Sequence, residues 1–331
     1  MAGLLRFHTA GYNGYAIEYS PFFENRIACA SAANFGIVGN GRLWCLGINA
    51  AAGVRGGGGG GGAGGGITAD RVYDTQDGLY DCAWSEEHEN QIVTSSGDGS
   101  IKLWDVTLSD FPIRNWSEHT REVFSVNWNL VNKDAFITGS WDQTIKLWKP
   151  EAPQSLMTWQ EHTHCIYQTV WSPSSGETFA SCSGDQTAKI WDVRQPRSAQ
   201  TIHAHNAEVL ALDWNKYNPN IIVTGSVDHS IKTWDLRFAN RETRVLLGHE
   251  YAVRRVKCSP HSGDVVVSAS YDMTMRVWDT GASSPLVHVH DLHTEFVLGV
   301  DMSMFFEGQV ATCAWDEQVT VSHVPALINK R

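Results

Sequence analysis

Apolar and polar residues alternate in short runs along most of the chain. FSVNW at 124–128, AFITGS at 135–140 and TIKLW at 144–148 show the pattern. A period of two, or a β-branched run, predicts half-buried strands. The runs are separated by NLVNKD at 129–134 and WDQ at 141–143, which predict turns. Each unit of this kind supplies three clear strands and a weaker fourth, so the pattern predicts an all-β chain of repeated four-stranded units.

The repeat is regular. Trp104, Trp148, Trp191, Trp234 and Trp278 follow one another at intervals of 44, 43, 43 and 44 residues. His119, His162, His205 and His249 each stand 29 residues ahead of a tryptophan. Asp142, Asp185, Asp228 and Asp272 each lie 23 residues after the histidine and 6 before the tryptophan. His293 and Asp316 keep the interval of 23, with Ser322 at the tryptophan position, and Asp98 and Trp104 keep the interval of 6, with Thr75 at the histidine position. This arrangement resembles the WD40 family, whose repeats run to roughly 40–45 residues.

A further unit opens the chain, with strands in YAIEYSPFFENRIACASA and GRLWCLG and with Asn40 and Leu46 at the aspartate and tryptophan positions. Asn40 to Asp98 is 58 residues, 14 more than a 44-residue period, and the Gly-rich stretch 53–66 is 14 residues long. That stretch reads as a flexible insertion between blades 1 and 2. Seven units predict a single seven-bladed WD40 β-propeller over 1–331, an architecture that leaves only short sheet edges. The resemblance implies closure by an N-terminal strand, residues Leu5 to Thr9 pairing beside Val319–His323.

Histidine, aspartate and serine or threonine are also the parts of a hydrolase site. A catalytic set is needed once, whereas this set recurs, so the structural reading is preferred. In the WD40 family these residues form a buried chain in which the indole N–H meets a hydroxyl, the hydroxyl an imidazole and the imidazole a carboxylate. In the third unit Thr138 and Ser140 both qualify as the hydroxyl.

Composition narrows the partners. A net charge of -11 disfavours nucleic acid and suits a basic peptide. Fourteen tryptophans fit a repeated packing role. Seven cysteines without a CxxC pair read as free thiols of a reducing compartment. No apolar run is long enough for a signal peptide or a membrane span, so a cytosolic protein without membrane insertion is expected. The glycine run lacks the Gly–Lys–Ser/Thr ending of a phosphate loop. HTHC at 162–165 and HVHDLH at 288–293 do not assemble a zinc set. Neither a cofactor, a metal nor an enzymatic activity is expected.

Propellers commonly bind peptides on the face where the loops leading into each first strand emerge. Five residues after each histidine position stand Tyr80, Phe124, Tyr167, Leu210, Arg254 and Leu298, and alignment adds Tyr15. Three after it come Glu122, Glu208 and Phe296, and just before the turn aspartates lie Trp141, Val227, Tyr271 and Trp315. Asp77 and Glu295 are one step away. An aromatic face with an acidic rim follows, suited to an amphipathic helix with a basic end.

Several stretches are more specific than the repeat. DGLYDCAWSE, LLGHEYAVRRVKCSP, HTEFVLGVDMS and CAWDEQVT resemble the family of receptors for the type 2 peroxisomal targeting signal, from about Gly14 to Val321. The resemblance implies a cytosolic receptor that shuttles to the peroxisome. It would read a helical N-terminal nonapeptide of cargo proteins, with a co-receptor peroxin (the long form of the type 1 signal receptor or a fungal-type equivalent) covering the other side, and deliver cargo to the docking complex for matrix import. Asp77, Glu122 and Glu208 would then face the basic end of the signal. The alternative is a substrate receptor of a cullin-based ubiquitin ligase, suggested by WDVR at 191–194 and WDLR at 234–237.

Overall fold

The computed structural model describes residues 3–49, 65–108 and 110–328. Among these residues, seven antiparallel four-stranded sheets follow one another. Blade 1 spans 13–75, blade 2 79–117, blade 3 123–159, blade 4 166–203, blade 5 209–246 and blade 6 253–290. Blade 7 takes three strands from 297–323 and its fourth from Leu5–His8. The first strand of each blade packs against the first strands of both neighbours, in an unbroken circle. The ring is therefore closed, and Leu5 pairs with Val321, Phe7 with Val319 and His8 with Gln318.

The insertion is placed differently from the expectation. Gly41–Asn49 and Gly66–Thr75 pair as the third and fourth strands of blade 1, with Asn49 opposite Gly66. The Gly-rich stretch thus joins two strands of one blade rather than two blades. Most of it lies outside the described residues, and Gly66 already belongs to the fourth strand.

The recurring residues are the internal frame of the blades. In blade 3 the Trp148 indole donates to Thr138 Oγ1 at 2.9 Å, which lies 2.8 Å from His119 Nε2, while His119 Nδ1 is 2.9 Å from Asp142. A hydroxyl has one proton, so it accepts from the indole and donates to Nε2, and the imidazole proton sits on Nδ1 facing the carboxylate. The same chain runs through Trp191, Ser181, His162 and Asp185, through Trp234, Thr224, His205 and Asp228, and through Trp278, Ser268, His249 and Asp272. Thr138 is thus the hydroxyl in blade 3. Ser140 instead donates to the Glu122 carbonyl and accepts from the Asp142 amide.

The ends of the series are modified. In blade 7, His293 joins Thr312 and Asp316, but Thr312 meets Thr320 where an indole would be. Val324 and Leu327 of the C-terminal turn pack there with Val265, Val267 and Val277 of blade 6. In blade 2, Trp104 still donates to Thr94 without a histidine.

Neighbouring blades are also clasped by side chains. Carboxylate or amide oxygens of Asp301, Glu18, Asp81, Asn127 and Asp213 accept from the Tyr19, Trp84, Val126, Trp171 and Cys258 amides of the next blade, at 2.7–3.1 Å. Buried backbone groups that a closed sheet edge would orphan are satisfied in this way.

Candidate functional site

In every blade the pairing between first and second strands slips by one residue near the first strand's start. The slipped residues are Tyr15, Tyr80, Phe124, Tyr167, Leu210, Arg254 and Leu298. A bulge leaves one residue unpaired and re-aims its side chain. Seven bulges at the same height build one collar at one end of the channel. Two residues earlier, blades 2 to 7 each offer a backbone carbonyl to the residue before the turn aspartate. Glu122 binds the Trp141 amide, Glu208 that of Val227, Ala252 that of Tyr271 and Phe296 that of Trp315. Collar and turns are thus fastened as one face.

On this face the rings form a continuous arc. Centroids lie 4.9 Å apart for Tyr271–Phe296, 5.2 Å for Phe296–Trp315 and 5.9 Å for Trp315–Tyr15. The arc continues through Tyr15–Tyr80 at 5.0 Å and Tyr80–Phe124 at 4.4 Å, and ends with Phe124 stacked on Trp141 at 4.6 Å and Tyr167 edge-on at 6.1 Å. It crosses six of the seven blades. Tyr15 and Tyr80 form its buried floor, and Phe124, Trp141, Tyr167, Tyr271, Phe296 and Trp315 are half-buried.

Phe35 joins the face although the sequence reading passed over it. The link between second and third strands of blade 1 is longer than elsewhere, and Asn34, Phe35 and Gly36 all adopt positive φ. Tyr15 Oη donates to the Phe35 carbonyl at 2.7 Å and Tyr80 Oη to the Gly36 carbonyl at 3.1 Å. A Cβ on Gly36 would come within 2.5 Å of Tyr15 Oη, so glycine is required there. The turn sets Phe35 5.3 Å from Trp315 and leaves Ile37 80% exposed. The length of the NFGIVGNG link was the available signal.

The acidic residues divide. Burial, then the nearby Asp77 and Glu122 carboxylates, push the Tyr80 hydroxyl up to about 12. Burial and Glu208 raise Tyr167, whose hydroxyl donates to Glu208 at 3.2 Å. Asp77, Glu122 and Glu208 therefore follow the aromatic arc along blades 2 to 5. Glu295 is exposed beside Phe296 in the loop entering blade 7, away from that group. Arg121 lies 3.4 Å from Glu122 and 5.8 Å from the centre of the Trp141 ring, so the rim is partly neutralised.

The channel beneath does not run through. Arg255 donates to Gln168 at 2.8 Å and to Asp81 at 3.0 Å, tying blade 6 to blades 4 and 2 across the axis. Beyond this bar a cavity of about 470 Å³ opens at the opposite mouth, lined by Glu18, Asp213, Lys257 and Asp301 among others. Arg194 and Arg237 of the two WDxR stretches pair with their own Asp192 and Asp235 at the rim of that opposite end. Among the described residues no three His, Cys, Asp or Glu side chains are grouped to hold a metal ion, and no helix is long and apolar enough to cross a membrane.

Closed blades and recurring tetrads define a WD40 β-propeller. The model described as "WD domain, G-beta repeat" matches residues 70–105, 111–149, 153–192, 196–235 and 240–279. The chain is 62% identical to a peroxisomal targeting signal 2 receptor of Dictyostelium discoideum, over 92% of each chain. It is 49% identical to the peroxisomal targeting signal 2 receptor of Mus musculus over 94% of each, and 57% identical to peroxisome biogenesis protein 7 of Arabidopsis thaliana over 94% of this chain and 95% of that one. Within the WD40 propellers, the chain belongs to the family of peroxisomal targeting signal 2 receptors.

Proposed function

We propose that the chain is a non-enzymatic receptor that holds the helical type 2 targeting signal of a cargo protein across the aromatic arc. The carrying observation is the arc itself, flanked by Asp77, Glu122 and Glu208. An amphipathic helix would lay its apolar side chains on the rings and its basic end on the carboxylates. Burying about 200 Å² of apolar surface contributes several kcal/mol at ~25 cal/mol per Å², whereas an exposed ion pair contributes about 0.2–1 kcal/mol. Packing thus sets affinity, and charge sets orientation.

A short helix is marginal alone. A co-receptor peroxin that covers its outer side fits that weakness, as does the exposed apolar crest at Phe35 and Ile37. Delivery to the docking complex, and movement between cytoplasm and peroxisome, complete this reading. The test is fluorescence anisotropy with a labelled type 2 signal peptide, with and without co-receptor. Saturable binding, weakened severalfold at low salt when the basic head is reversed to glutamate, is expected. Equal binding of the reversed peptide would overturn the proposal.

A further inference from the structure

Arg254 and Arg255 are neighbours in sequence with opposite surroundings. The bulge at blade 6 separates them. Arg255 is fully engaged by Gln168 and Asp81. Arg254 is 2% exposed, yet neither terminal nitrogen of its guanidinium has a hydrogen-bond partner. Its charged carbon lies 5.7 Å from the centre of the Phe124 ring; the Tyr15, Tyr167 and Tyr271 hydroxyls and the Asp81 carboxylate are near enough to feel its charge, but Asp81 bonds to Arg255 and to the Val126 amide and not to Arg254.

Burial, then the like charge of Arg255, disfavours the cation. Arginine does not give up its proton within a protein, so the charge stays. A cation over aromatic faces recovers part of the lost hydration, but its donors still point at no acceptor. A buried ion without a partner weakens a fold, and such strain tends to persist where function holds it.

The surroundings restrict where an acceptor could come from. Arg255 occupies the channel on one side, rings form the walls, and the ligand face is the remaining approach. We propose that Arg254 is a specificity-determining residue that receives an oxygen acceptor of the bound peptide: a carboxylate, a carboxamide or an unpaired backbone carbonyl. One or more of the surrounding rings must rotate to admit it. The inference rests on the peptide-receptor reading and deepens it. The acidic rim takes the basic head of the helix, and Arg254, beside the Phe124 and Tyr167 rings that this rim flanks, takes an acceptor from the side of the peptide that faces the channel.

The test pairs thermal melting with anisotropy of a labelled type 2 signal peptide, on the full chain and its R254M and R254K variants. The expected result is unusual for a binding residue. R254M melts a few degrees above wild type and binds the peptide at least tenfold more weakly, and R254K, which keeps the charge but not the fork, falls between. Tight binding by R254M overturns the proposal. So does a melting temperature at or below that of wild type, and a variant that fails to fold counts with that outcome. If wild type itself does not bind the peptide, the receptor reading fails, and the melting comparison still decides whether Arg254 is held at the expense of the fold.

Discussion

Arg255 Nη2 lies 3.0 Å from Asp81 Oδ1, joining blade 6 to blade 2 across the axis of the ring. Both side chains are buried, and the second Asp81 oxygen accepts from the Val126 amide of blade 3. One carboxylate therefore holds three blades. Replacing Asp81 by alanine strands a buried cation and an amide at once. A loss of about 3–5 kcal/mol is expected in urea unfolding. D81L combined with R255M should recover much of it, because the stranded Arg255 charge is removed and only the Val126 amide is left unpaired.

The tetrads carry a stability that depends on acid. Burial works to raise the Asp142, Asp185, Asp228 and Asp272 carboxyls, but hydrogen bonds from the paired imidazoles and nearby hydroxyls outweigh it and hold them well below the usual range. The folded values are below the unfolded one of about 3.9. Their contribution is therefore complete above that pH and is lost as pH falls toward the folded values. Melting temperature should drop steeply below about pH 4. D142A should lose roughly 1–3 kcal/mol at pH 7 by leaving the His119 donor unpaired, and should show a shallower acid limb.

Glu18 has the opposite sign. Burial first, with Asp301 and Asp81 adding to it, raises its carboxyl to about 8, although Lys257 and the Trp84 amide pull it down. The folded state keeps a proton that the unfolded chain has released, so stability declines as pH rises from about 4.5 towards 8. E18Q keeps an oxygen for the Trp84 amide and removes the titration. It should match wild type near pH 5 and exceed it at pH 8, by an amount on the order of a few kcal/mol. Chemical denaturation at the two pH values measures this.

On the aromatic face, the proposed contributions of packing and charge should separate by salt. W141A removes the ring stacked on Phe124 and should cost about 2 kcal/mol or more in peptide affinity, nearly independent of ionic strength. E122K reverses a rim charge and should cost about 1 kcal/mol at low salt, fading as salt is added. Calorimetric titration at two salt concentrations distinguishes them. Melting of E122K should match wild type, since Glu122 is partly exposed.

The repeat was readable because its residues obey fixed spacing. Hydrogen-bond reach between His119, Thr138, Asp142 and Trp148 ties their positions along the chain. Chain closure does not follow from spacing; it is what the resemblance to the WD40 family implies, and the pairing of Leu5–His8 with Gln318–His323 agrees with it. What spacing could not carry was the direction of individual side chains. Thr138 and Ser140 are two apart, so both point to one face of the strand, and only the register with Trp148 separates their roles. Arg254 and Arg255 look alike in sequence, and a one-residue slip gives one a partner and the other none. Counting from tryptophan to tryptophan puts the Gly-rich stretch between blades, because that repeat does not coincide with a sheet, whose fourth strand precedes the next histidine. Phe35 was missed because no other unit has a link of that length to compare.

The pairing of Leu5–His8 with Gln318–His323 has a consequence for biosynthesis. The Leu5–His8 strand must wait for a partner at the far end of the ring, so the nascent chain is an unsealed arc with two naked sheet edges until Gln318–His323 has left the ribosome. Contacts so distant along the chain form slowly. Protection during that interval, by a chaperone on the ribosome or soon after release, would govern the yield of working molecules.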